Sequence, residues 1–375
     1  MLRIAVYGDS KWSALMKELL EKEYSNMVTA NGGEGLAVDC YVSMLPNDAE
    51  NEISIVEFAE KYSAGELVAI VIPKEYYIQQ NSVVLALLRN GVGVDDIYCG
   101  IRLDDKIKEN PDAIAVLVTP LLSDPYLPYL EFHVADHCNL NCKYCTHYSP
   151  LVQEPVFTDY NEFEKGIRQL KNYIYDIGVI RILGGEPLLN SELSRFIRLV
   201  RSLYPASIID VVTNGLLVEK ISDELINTMR ESVAFFHISL YQPMEERISQ
   251  VKKFLYEKGI AYSLSPLNSV FYKTQTLDRQ EDEDFFYTCF QATCTCLQDG
   301  KLAPCYAPFT TKYFNQAFGT DLPVGEGVDL FDPELSLPLL KAKILLPLER
   351  CHYCYIGEPQ PWQVLGKSSK IEDWI

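Results

Sequence analysis

Three cysteines at the spacing C-x3-C-x2-C are the residues of this sequence whose types and spacing indicate chemistry most directly. They are Cys138, Cys142 and Cys145. A loop that carries three thiolates at this spacing can hold three irons of a cubane cluster and leave the fourth iron open to another ligand. The same loop can instead hold zinc, with His137 or His147 as the fourth ligand. The thiols alone leave both kinds of metal site open.

A second group of thiols follows the pattern C-x10-G-x4-C and ends in a distant C-x2-C. These thiols are Cys289, Cys305, Cys351 and Cys354. Four thiols from two segments can close a tetrahedral site, so they can hold either a fully ligated iron-sulfur cluster or a zinc ion. The adjacent Cys294 and Cys296 can replace Cys289 as a ligand, donate a hydrogen atom to a substrate, or be inert.

The composition restricts the class of protein. With 375 residues and 48% hydrophobic content, the chain is long enough for two or three folded domains. A formal net charge of −19 argues against a nucleic-acid partner, because non-specific binding of nucleic acid depends on Lys and Arg. We find neither a signal-peptide pattern nor an apolar run of membrane-spanning length, so we expect a cytoplasmic protein without a membrane partner. In that compartment, grouped cysteines favour metal binding over disulfides.

Alternating strand and helix patterns begin directly before the three thiols. Helices are predicted between five apolar strands, at residues 129–134, 179–183, 207–212, 232–240 and 260–264. Repeated βα units form a parallel sheet, and five or six of them are fewer than the eight of a closed barrel. We therefore expect an α/β fold with a partial (β/α)6 TIM-like barrel. Active sites in such sheets lie at the carboxyl ends of the strands, where the three thiols also lie.

Glycine-rich and polar turns follow the later strands at the same edge. Gly184-Gly185-Glu186-Pro187 follows the second strand; its glycines let backbone approach a ligand, and its carboxylate can accept an ammonium group. Thr213-Asn214-Gly215 follows the third strand and suits sugar hydroxyls, and Ser239 ends the fourth. Each turn alone is an ordinary strand-to-loop connection. Their recurrence on successive βα units favours one shared site.

The first 120 residues predict a Rossmann-like domain of alternating strands and helices. Their first turn, Gly8-Asp9-Ser10-Lys11, lacks the G-x-G-x-x-G spacing that brings backbone close to a pyrophosphate. These residues therefore favour a domain that docks substrate or a partner, or braces the barrel, over a dinucleotide site. Prolines at 120, 125 and 128 predict a linker over residues 120–128. We expect three domains, at residues 1–120, 121–275 and 276–375.

Across residues 129–265 the sequence resembles the radical S-adenosylmethionine superfamily. The resemblance rests on the three thiols, on Gly184-Gly185-Glu186-Pro187 and on Thr213-Asn214-Gly215. It implies that Cys138, Cys142 and Cys145 hold a [4Fe-4S] cluster whose open iron binds the methionine moiety of S-adenosylmethionine. By the same resemblance, Gly184, Gly185, Glu186 and Pro187 contact its amino group and Tyr144 lies near its adenine. Thr213, Asn214 and Ser239 are implied as further contacts to the cofactor.

Residues 285–356 resemble the twitch type of auxiliary-cluster domain, a shortened relative of the SPASM domain. This resemblance implies that Cys289, Cys305, Cys351 and Cys354 hold an auxiliary [4Fe-4S] cluster that relays electrons. The C-terminal residues 276–375 are accordingly expected to form a small auxiliary-cluster domain.

The two resemblances imply an enzyme that reductively cleaves S-adenosylmethionine to a 5′-deoxyadenosyl radical and abstracts a hydrogen atom from its substrate. We expect it to oxidise or epimerise a sugar, cyclitol or sugar-nucleotide, with flavodoxin or ferredoxin as its electron donor. The candidate catalytic residues are Cys294, Cys296 and His147. The alternative enzymatic function is modification of a ribosomally made peptide. The alternative of another class is a non-catalytic zinc or iron-sulfur binding module.

Overall fold

The chain forms two compact units. The computed structural model describes residues 2–8, 11–24, 36–46, 51–100, 118–282, 284–365 and 369–375. The first unit comprises Met1–Asp124 and Leu337–Ala342, and the second comprises Pro125–Ser336 and Lys343–Ile375. None of the helices in the described ranges combines the length and apolar character that crossing a membrane requires.

The first unit is a doubly wound α/β fold on a six-stranded sheet. Its strands are β1 (Leu2–Tyr7), β2 (Leu36–Ser43), β3 (Glu52–Ser54), β4 (Ala69–Ile72), β5 (Ile97–Gly100) and β6 (Val118–Pro120). Its helices are α1 (Lys11–Leu19), α2 (Ile55–Ser63) and α3 (Tyr77–Arg89). The strand order is β3-β2-β1-β4-β5-β6, in which β1 to β5 are parallel and β6 is antiparallel at the edge. This arrangement confirms the predicted Rossmann-like fold.

The second unit contains the parallel strands that carry the thiol loop. Its strands are β7 (Tyr126–Ala135), β8 (Asp176–Gly184), β9 (Ile208–Thr213), β10 (Phe235–Ile238), β11 (Tyr262–Leu264), β12 (Val270–Tyr272), β13 (Cys296–Gln298), β14 (Lys301–Ala303), β15 (Val328–Asp329) and β16 (Pro359–Pro361). Its helices are α4 (Tyr160–Lys171), α5 (Leu193–Leu203), α6 (Asp223–Glu231), α7 (Ile248–Lys258), α8 (Asp284–Thr288) and α9 (Ala307–Phe318). A further helix, α10 (Leu337–Lys343), lies mostly in the first unit.

The sheet of the second unit has the order β11-β10-β9-β8-β7-β13-β14-β15. The strands β7 to β11 are parallel neighbours in reverse chain order, as successive βα units require. On the other side of β7, β13 is also parallel but pairs only at Cys296 and Glu131. This is the predicted α/β partial barrel, with its carboxyl edge formed by the ends of β7 to β11.

The alternation of side chains along β7 separates the hydrophobic core from the concave face of the sheet. Phe132 lies with its ring centroid 4.2 Å from that of Phe163 on α4 and 6.3 Å from that of Phe196 on α5. Because successive strand residues point to opposite faces, Glu131 and His133 face away from these helices. The helix α4 begins where the carboxylate of Asp159 accepts two backbone N–H groups of the first turn.

One prediction about the chain is wrong, and one helix of the structure was not predicted. The predicted linker over residues 120–128 is wrong in its last part, because β7 already begins at Tyr126 and includes Pro128. A proline, which has no backbone N–H, is tolerated there because β13 pairs with β7 only at Glu131. On that side, the first residues of β7 therefore have no strand-to-strand hydrogen bond that the proline could remove. The helix α9 was not predicted, because its second residue is Pro308 and it follows a cysteine-rich stretch. The predicted boundary at residues 275 and 276 stays a prediction, and both sides of it lie in the second unit.

Candidate active site

The three thiols of the loop after β7 line one cavity of about 200 Å³. The ends of the next three parallel strands form the facing wall of this cavity. They contribute Gly184, Gly185, Thr213, Asn214 and Ser239. The structure thus brings the predicted thiols and most of the predicted turn residues together at the carboxyl edge of the sheet.

Each of the three thiol sulfurs receives hydrogen bonds from N–H groups. The backbone N–H of Leu140 donates to Cys138 Sγ over 3.3 Å, and Trp362 Nε1 donates to Cys142 Sγ over 3.2 Å. Burial raises the pKa of Cys145, and backbone N–H groups of the residues that follow it donate to its sulfur and partly offset this rise. N–H donors of this kind stabilise sulfur that carries negative charge.

Burial opposes the ionisation of the same thiols. It raises the pKa of Cys138 to about 12 and that of Cys142 to about 12, well above the ordinary value of 9.0. A buried thiol of this kind ionises when a metal binds it, because the metal charge compensates the thiolate. Three such thiols around one cavity, each with N–H donors, fit a [4Fe-4S] cluster held by three cysteines.

Two glycines let the end of β8 pack directly against the thiol loop. A Cβ on Gly184, which has a φ of +141°, would lie 2.0 Å from the carbonyl oxygen of Ala135. A Cβ on Gly185 would lie 2.3 Å from the carbonyl oxygen of His137. Both distances are shorter than any van der Waals contact, so only glycine fits at these positions. Because neither residue has a side chain, the backbone atoms of Gly184 and Gly185 line the cavity directly.

Glu186 joins the turn after β8 to the turn after β9. Its Oε1 accepts hydrogen bonds from Thr213 Oγ1 over 2.7 Å and from the Leu188 N–H over 3.0 Å. Its Oε2 accepts the Asn214 N–H over 2.9 Å. The side chain is fully buried and does not line the cavity, so these three protein donors take the place of the ammonium group that the sequence suggested. The predicted contact of residues 184–187 with the cofactor stays a prediction, and it now rests on the backbones of Gly184 and Gly185.

The remaining predicted cofactor contacts divide into two sets. Asn214 Nδ2 donates to Asn139 Oδ1 over 2.7 Å, which ties the turn after β9 to the thiol loop, and Ser239 lines the cavity. The Tyr144 ring is buried outside the cavity lining, with Lys143 Nζ 5.0 Å from its centroid. Pro187 is also buried and begins a short 3-10 turn. With this placement, Tyr144 and Pro187 can contribute to cofactor binding only through their backbone atoms or through the shape of their loops.

His147 is the candidate catalytic residue that lies at the cavity. Its Nδ1–H donates to the carbonyl oxygen of Gly184 over 3.2 Å, and its ring centroid lies 3.9 Å from that of Tyr306. Burial lowers the pKa of His147 to about 3, so the imidazole is neutral at pH 7. By contrast, His137 Nδ1 lies 3.0 Å from the carbonyl oxygen and 3.1 Å from the backbone nitrogen of Val156 and, according to its tautomer, bonds one of them, which leaves it a structural role.

The four thiols of the second group also lie near one another. Burial is the largest cause that raises the pKa of Cys305, and the neighbouring Cys351 and Cys354 raise it further. Cys289 acts in the same way on Cys351, whose pKa is raised to about 12, mainly by burial. Within the described ranges, no three His, Cys, Asp or Glu side chains surround a position for a single metal ion. Electrostatically, Cys289, Cys351 and Cys354 are thus neighbours of Cys305, and the role of the four thiols as ligands of an auxiliary cluster stays a prediction.

Cys294 and Cys296 both lie near Glu131, and each also has one thiol of the second group as a neighbour, Cys289 for Cys294 and Cys305 for Cys296. Cys296 begins β13, is 1% exposed and pairs across the strands with Glu131. After burial, Glu131 is also the strongest influence that raises the pKa of Cys294. Neither thiol lines the cavity of the three-thiol loop.

In the first unit, the turn after β1 is filled by an aromatic side chain. Gly8 has a φ of +94°, and a Cβ there would lie 2.1 Å from the hydroxyl oxygen of Tyr76. The hydroxyl of Tyr76 also lies 3.2 Å from Ser13 Oγ at the first helix. In doubly wound folds a pyrophosphate approaches the backbone at this turn, and here the Tyr76 ring covers it.

Comparison with known proteins finds similarity over the part of the chain that contains the three-thiol cavity. The family model of the Radical SAM superfamily matches residues 133–262. The chain is 34% identical over 99 residues to GTP 3',8-cyclase of Heliobacterium modesticaldum, covering 26% of this chain and 30% of that protein. It is 29% identical over 145 residues to a probable GTP 3',8-cyclase of Methanococcus aeolicus, covering 37% and 48%. The chain therefore matches between about a third and a half of the length of these curated relatives.

Among solved structures, the chain is similar to BtrN in complex with AdoMet and 2-DOIA. That likeness has 17% identity and a TM-score of 0.38, and it covers 62% of this chain and 94% of that one. The thiol loop, the two glycines and the turn after β9 all lie inside the range that the family model matches.

Proposed function

We propose that this protein is an enzyme that abstracts a hydrogen atom from its substrate. The premise is the match of residues 133–262 to the radical S-adenosylmethionine domain. A [4Fe-4S] cluster with bound S-adenosylmethionine supplies the chemistry of such domains, which is reductive cleavage of the sulfonium to a 5′-deoxyadenosyl radical. The observation that carries the proposal is the cavity where three thiols, one buried and two partly buried, face the backbones of Gly184 and Gly185. Each of the three accepts hydrogen bonds from N–H groups.

The residues around this cavity have separate tasks. Cys138, Cys142 and Cys145 hold the cluster, and the exposed backbones of the two glycines bind the polar groups of the methionine moiety. Glu186 keeps the two turns at a fixed separation through its three hydrogen bonds. The buried strands around the cavity exclude water, which a radical of this reactivity requires.

The leading reaction subtype is oxidation of a sugar, cyclitol or sugar-nucleotide, with epimerisation as the redox-neutral variant. The grouping of Cys289, Cys305, Cys351 and Cys354 supports oxidation, because an auxiliary cluster there can accept the second electron that dehydrogenation releases. A flavodoxin or ferredoxin is the electron donor that this chemistry implies.

A second candidate substrate is a purine nucleoside triphosphate. The curated relatives named above are GTP 3',8-cyclases, and the residues that match them include the domain that would hold the radical. Because the match covers less than half of each relative, it supports the shared radical-forming step more directly than the shared substrate.

Transfer of deuterium from a substrate to the cofactor tests the proposal and distinguishes the candidates. The reduced, reconstituted protein would be incubated with S-adenosylmethionine and, separately, with perdeuterated sugars, cyclitols, sugar-nucleotides and GTP. We expect deuterated 5′-deoxyadenosine from one of these classes. Deuterium from GTP alone would replace the sugar or cyclitol assignment, and deuterium from none of them would contradict this choice of substrate classes.

A further inference from the structure

Among the residues that the structure describes, Arg350 is the largest fully buried side chain. It is 2% exposed and lies in the 3-10 turn Glu349–Tyr353, one residue before Cys351. Burying a guanidinium destabilises the folded protein unless a negative charge compensates it. The positive charge therefore needs a partner within the protein.

All side-chain hydrogen-bond partners of Arg350 are formally neutral. Its Nε donates to Thr311 Oγ1 over 2.7 Å, and its Nη2 donates to Gln275 Oε1 and to the Tyr148 hydroxyl, the latter over 3.4 Å. Its Nη1 donates to Cys354 Sγ over 3.0 Å. The carboxylate of Glu326 binds only the backbone N–H of this residue, over 2.8 Å. Among the described residues, no Asp or Glu forms an ion pair with its guanidinium.

Burial raises the pKa of the Tyr148 phenol beside the guanidinium to about 12, and the other neighbouring groups that can become negative are thiols. Cys354, Cys305 and Cys351 all contribute electrostatically to Arg350, and they are three of the four thiols in the second group. As neutral thiols they leave the buried charge uncompensated. As metal-bound thiolates they supply the missing negative charge at a hydrogen-bonding distance from it.

We propose that Arg350 is a positioning residue for the auxiliary cluster, and that its fixed positive charge stabilises the cluster in its one-electron reduced form. This proposal rests on the function proposed above. In a buried site, a positive charge beside a ligand sulfur favours the form with one more electron, so it raises the reduction potential. The sequence places Arg350 next to the C-x2-C pair, and the structure turns its side chain onto Cys354 Sγ.

The consequence concerns the fate of the substrate radical. When an alcohol is dehydrogenated, the carbon radical left by hydrogen abstraction loses one electron and its hydroxyl loses one proton, which yields a carbonyl. A cluster held by Cys289, Cys305, Cys351 and Cys354 would supply the acceptor for this electron, and the proton would pass to solvent. An auxiliary site whose potential is raised by Arg350 is suited to accept this electron, whereas epimerisation needs no such acceptor.

The test isolates the auxiliary site from the first cluster. In a background in which Cys138, Cys142 and Cys145 are all changed to Ala, the only expected cluster is the auxiliary one. Its midpoint potential would be measured by EPR-monitored redox titration with Arg350 intact, with Arg350→Lys, which keeps the charge, and with Arg350→Met, which removes it. Arg279→Met is the control, because Arg279 pairs with Glu349 and Glu281 at the surface.

We expect Arg350→Met to shift the potential to a more negative value, Arg350→Lys to shift it less, and Arg279→Met to leave it unchanged. An unchanged potential in Arg350→Met would overturn the proposal. If Arg350→Met loses its iron while Arg350→Lys retains it, the requirement for charge is supported. If Arg350→Met and Arg350→Lys both lose iron, cluster binding depends on the hydrogen bonds of the guanidinium and not on its charge, and the proposal is wrong. Absence of iron in the background with Arg350 intact would refute the auxiliary cluster itself, a distinct failure that iron analysis shows before any potential is measured.

Discussion

Trp362 donates its indole N–H to Cys142 Sγ over 3.2 Å, although the two residues are 220 positions apart in the chain. The segment around Trp362 lies along the thiol loop, where Lys143 N donates to Gln363 O over 2.9 Å and Leu365 N donates to Asn141 O over 2.7 Å. The donors to Cys145 come from the loop itself, and Cys138 accepts both from the loop and, over 3.6 Å, from Asn214 Nδ2 after β9. The environment of Cys142 is therefore complete only when this C-terminal segment has folded back onto the loop.

Loss of this hydrogen bond should lower the reduction potential of the first cluster. Trp362→Phe keeps an aromatic ring but removes the N–H group that stabilises the reduced, more negative form. EPR-monitored titration of the reconstituted variant should show a more negative midpoint potential for this cluster. Trp374→Phe is the control, because Trp374 Nε1 binds Ser369 Oγ instead of a thiol. Equal potentials in wild type and Trp362→Phe would contradict the assigned role.

Gly185→Ala should disrupt the contact between the end of β8 and the thiol loop. The new Cβ would lie 2.3 Å from the carbonyl oxygen of His137, so one of the two backbones must move. We expect a loss of about 1–3 kcal/mol in the free energy of unfolding and reduced binding of S-adenosylmethionine. Gly65→Ala is a control for backbone strain alone, since Gly65 has a φ of +73° and nothing within 4 Å of its Cβ position. Normal cofactor binding by Gly185→Ala would refute the close approach.

Iron analysis of alanine variants should distinguish the thiols of the second group, which bind iron, from Cys296, which does not. With two [4Fe-4S] clusters the reconstituted protein should contain about eight irons. We expect Cys305→Ala to lose about half of this iron, since Cys305 lies among the four grouped thiols. Cys296→Ala should retain it, because Cys296 is buried against Glu131. Iron loss in Cys296→Ala but not in Cys305→Ala would reverse the ligand assignment.

The stability of the metal-free protein should depend on pH through Glu131. Burial raises the pKa of its carboxyl to about 7 from an ordinary value of 4.5, despite the Tyr129 hydroxyl that donates to Oε2 over 2.7 Å. Between these two values the folded state binds more protons than the unfolded state, so the contribution of Glu131 to stability falls as pH rises. Through Glu131, the free energy of unfolding changes by at most about 1.4 kcal/mol per pH unit.

Denaturant unfolding at pH 5, 6 and 7 checks this dependence. Glu131→Gln cannot ionise, so its free energy of unfolding should fall less than that of the wild type over this range. The exposed Glu257→Gln should behave as the wild type does. Parallel pH profiles for the wild type and Glu131→Gln would show that the buried carboxyl does not titrate in this window.

The parts of the fold and site that sequence reasoning found are those with local signals. The apolar runs predicted the order of β7 to β11, and the spacing of Cys138, Cys142 and Cys145 predicted the loop that follows β7. The glycine pair at 184 and 185 is also a local signal, and it predicted the turn after β8. A turn packed directly against a neighbouring backbone has no room for any residue larger than glycine.

The residues that were missed act through contacts distant in sequence. Nothing around Trp362 indicates that its N–H reaches Cys142, and nothing around Arg350 except the next cysteine indicates a buried charge. Glu186 was assigned to a ligand because a turn carboxylate is usually free, whereas here Thr213 and the Asn214 N–H, from the next βα unit, bind it. Such roles depend on tertiary packing, which hydrophobic periodicity does not specify.

Release of 5′-deoxyadenosine tests the central claim most directly. The protein would be reconstituted with iron and sulfide without oxygen, strongly reduced and incubated with S-adenosylmethionine, and the products would be quantified by mass spectrometry. We predict that the wild type releases 5′-deoxyadenosine and methionine, and that Cys142→Ala releases neither. No release from iron-loaded wild type, or equal release from Cys142→Ala, would contradict the assignment of the three-thiol cavity as the radical-forming site.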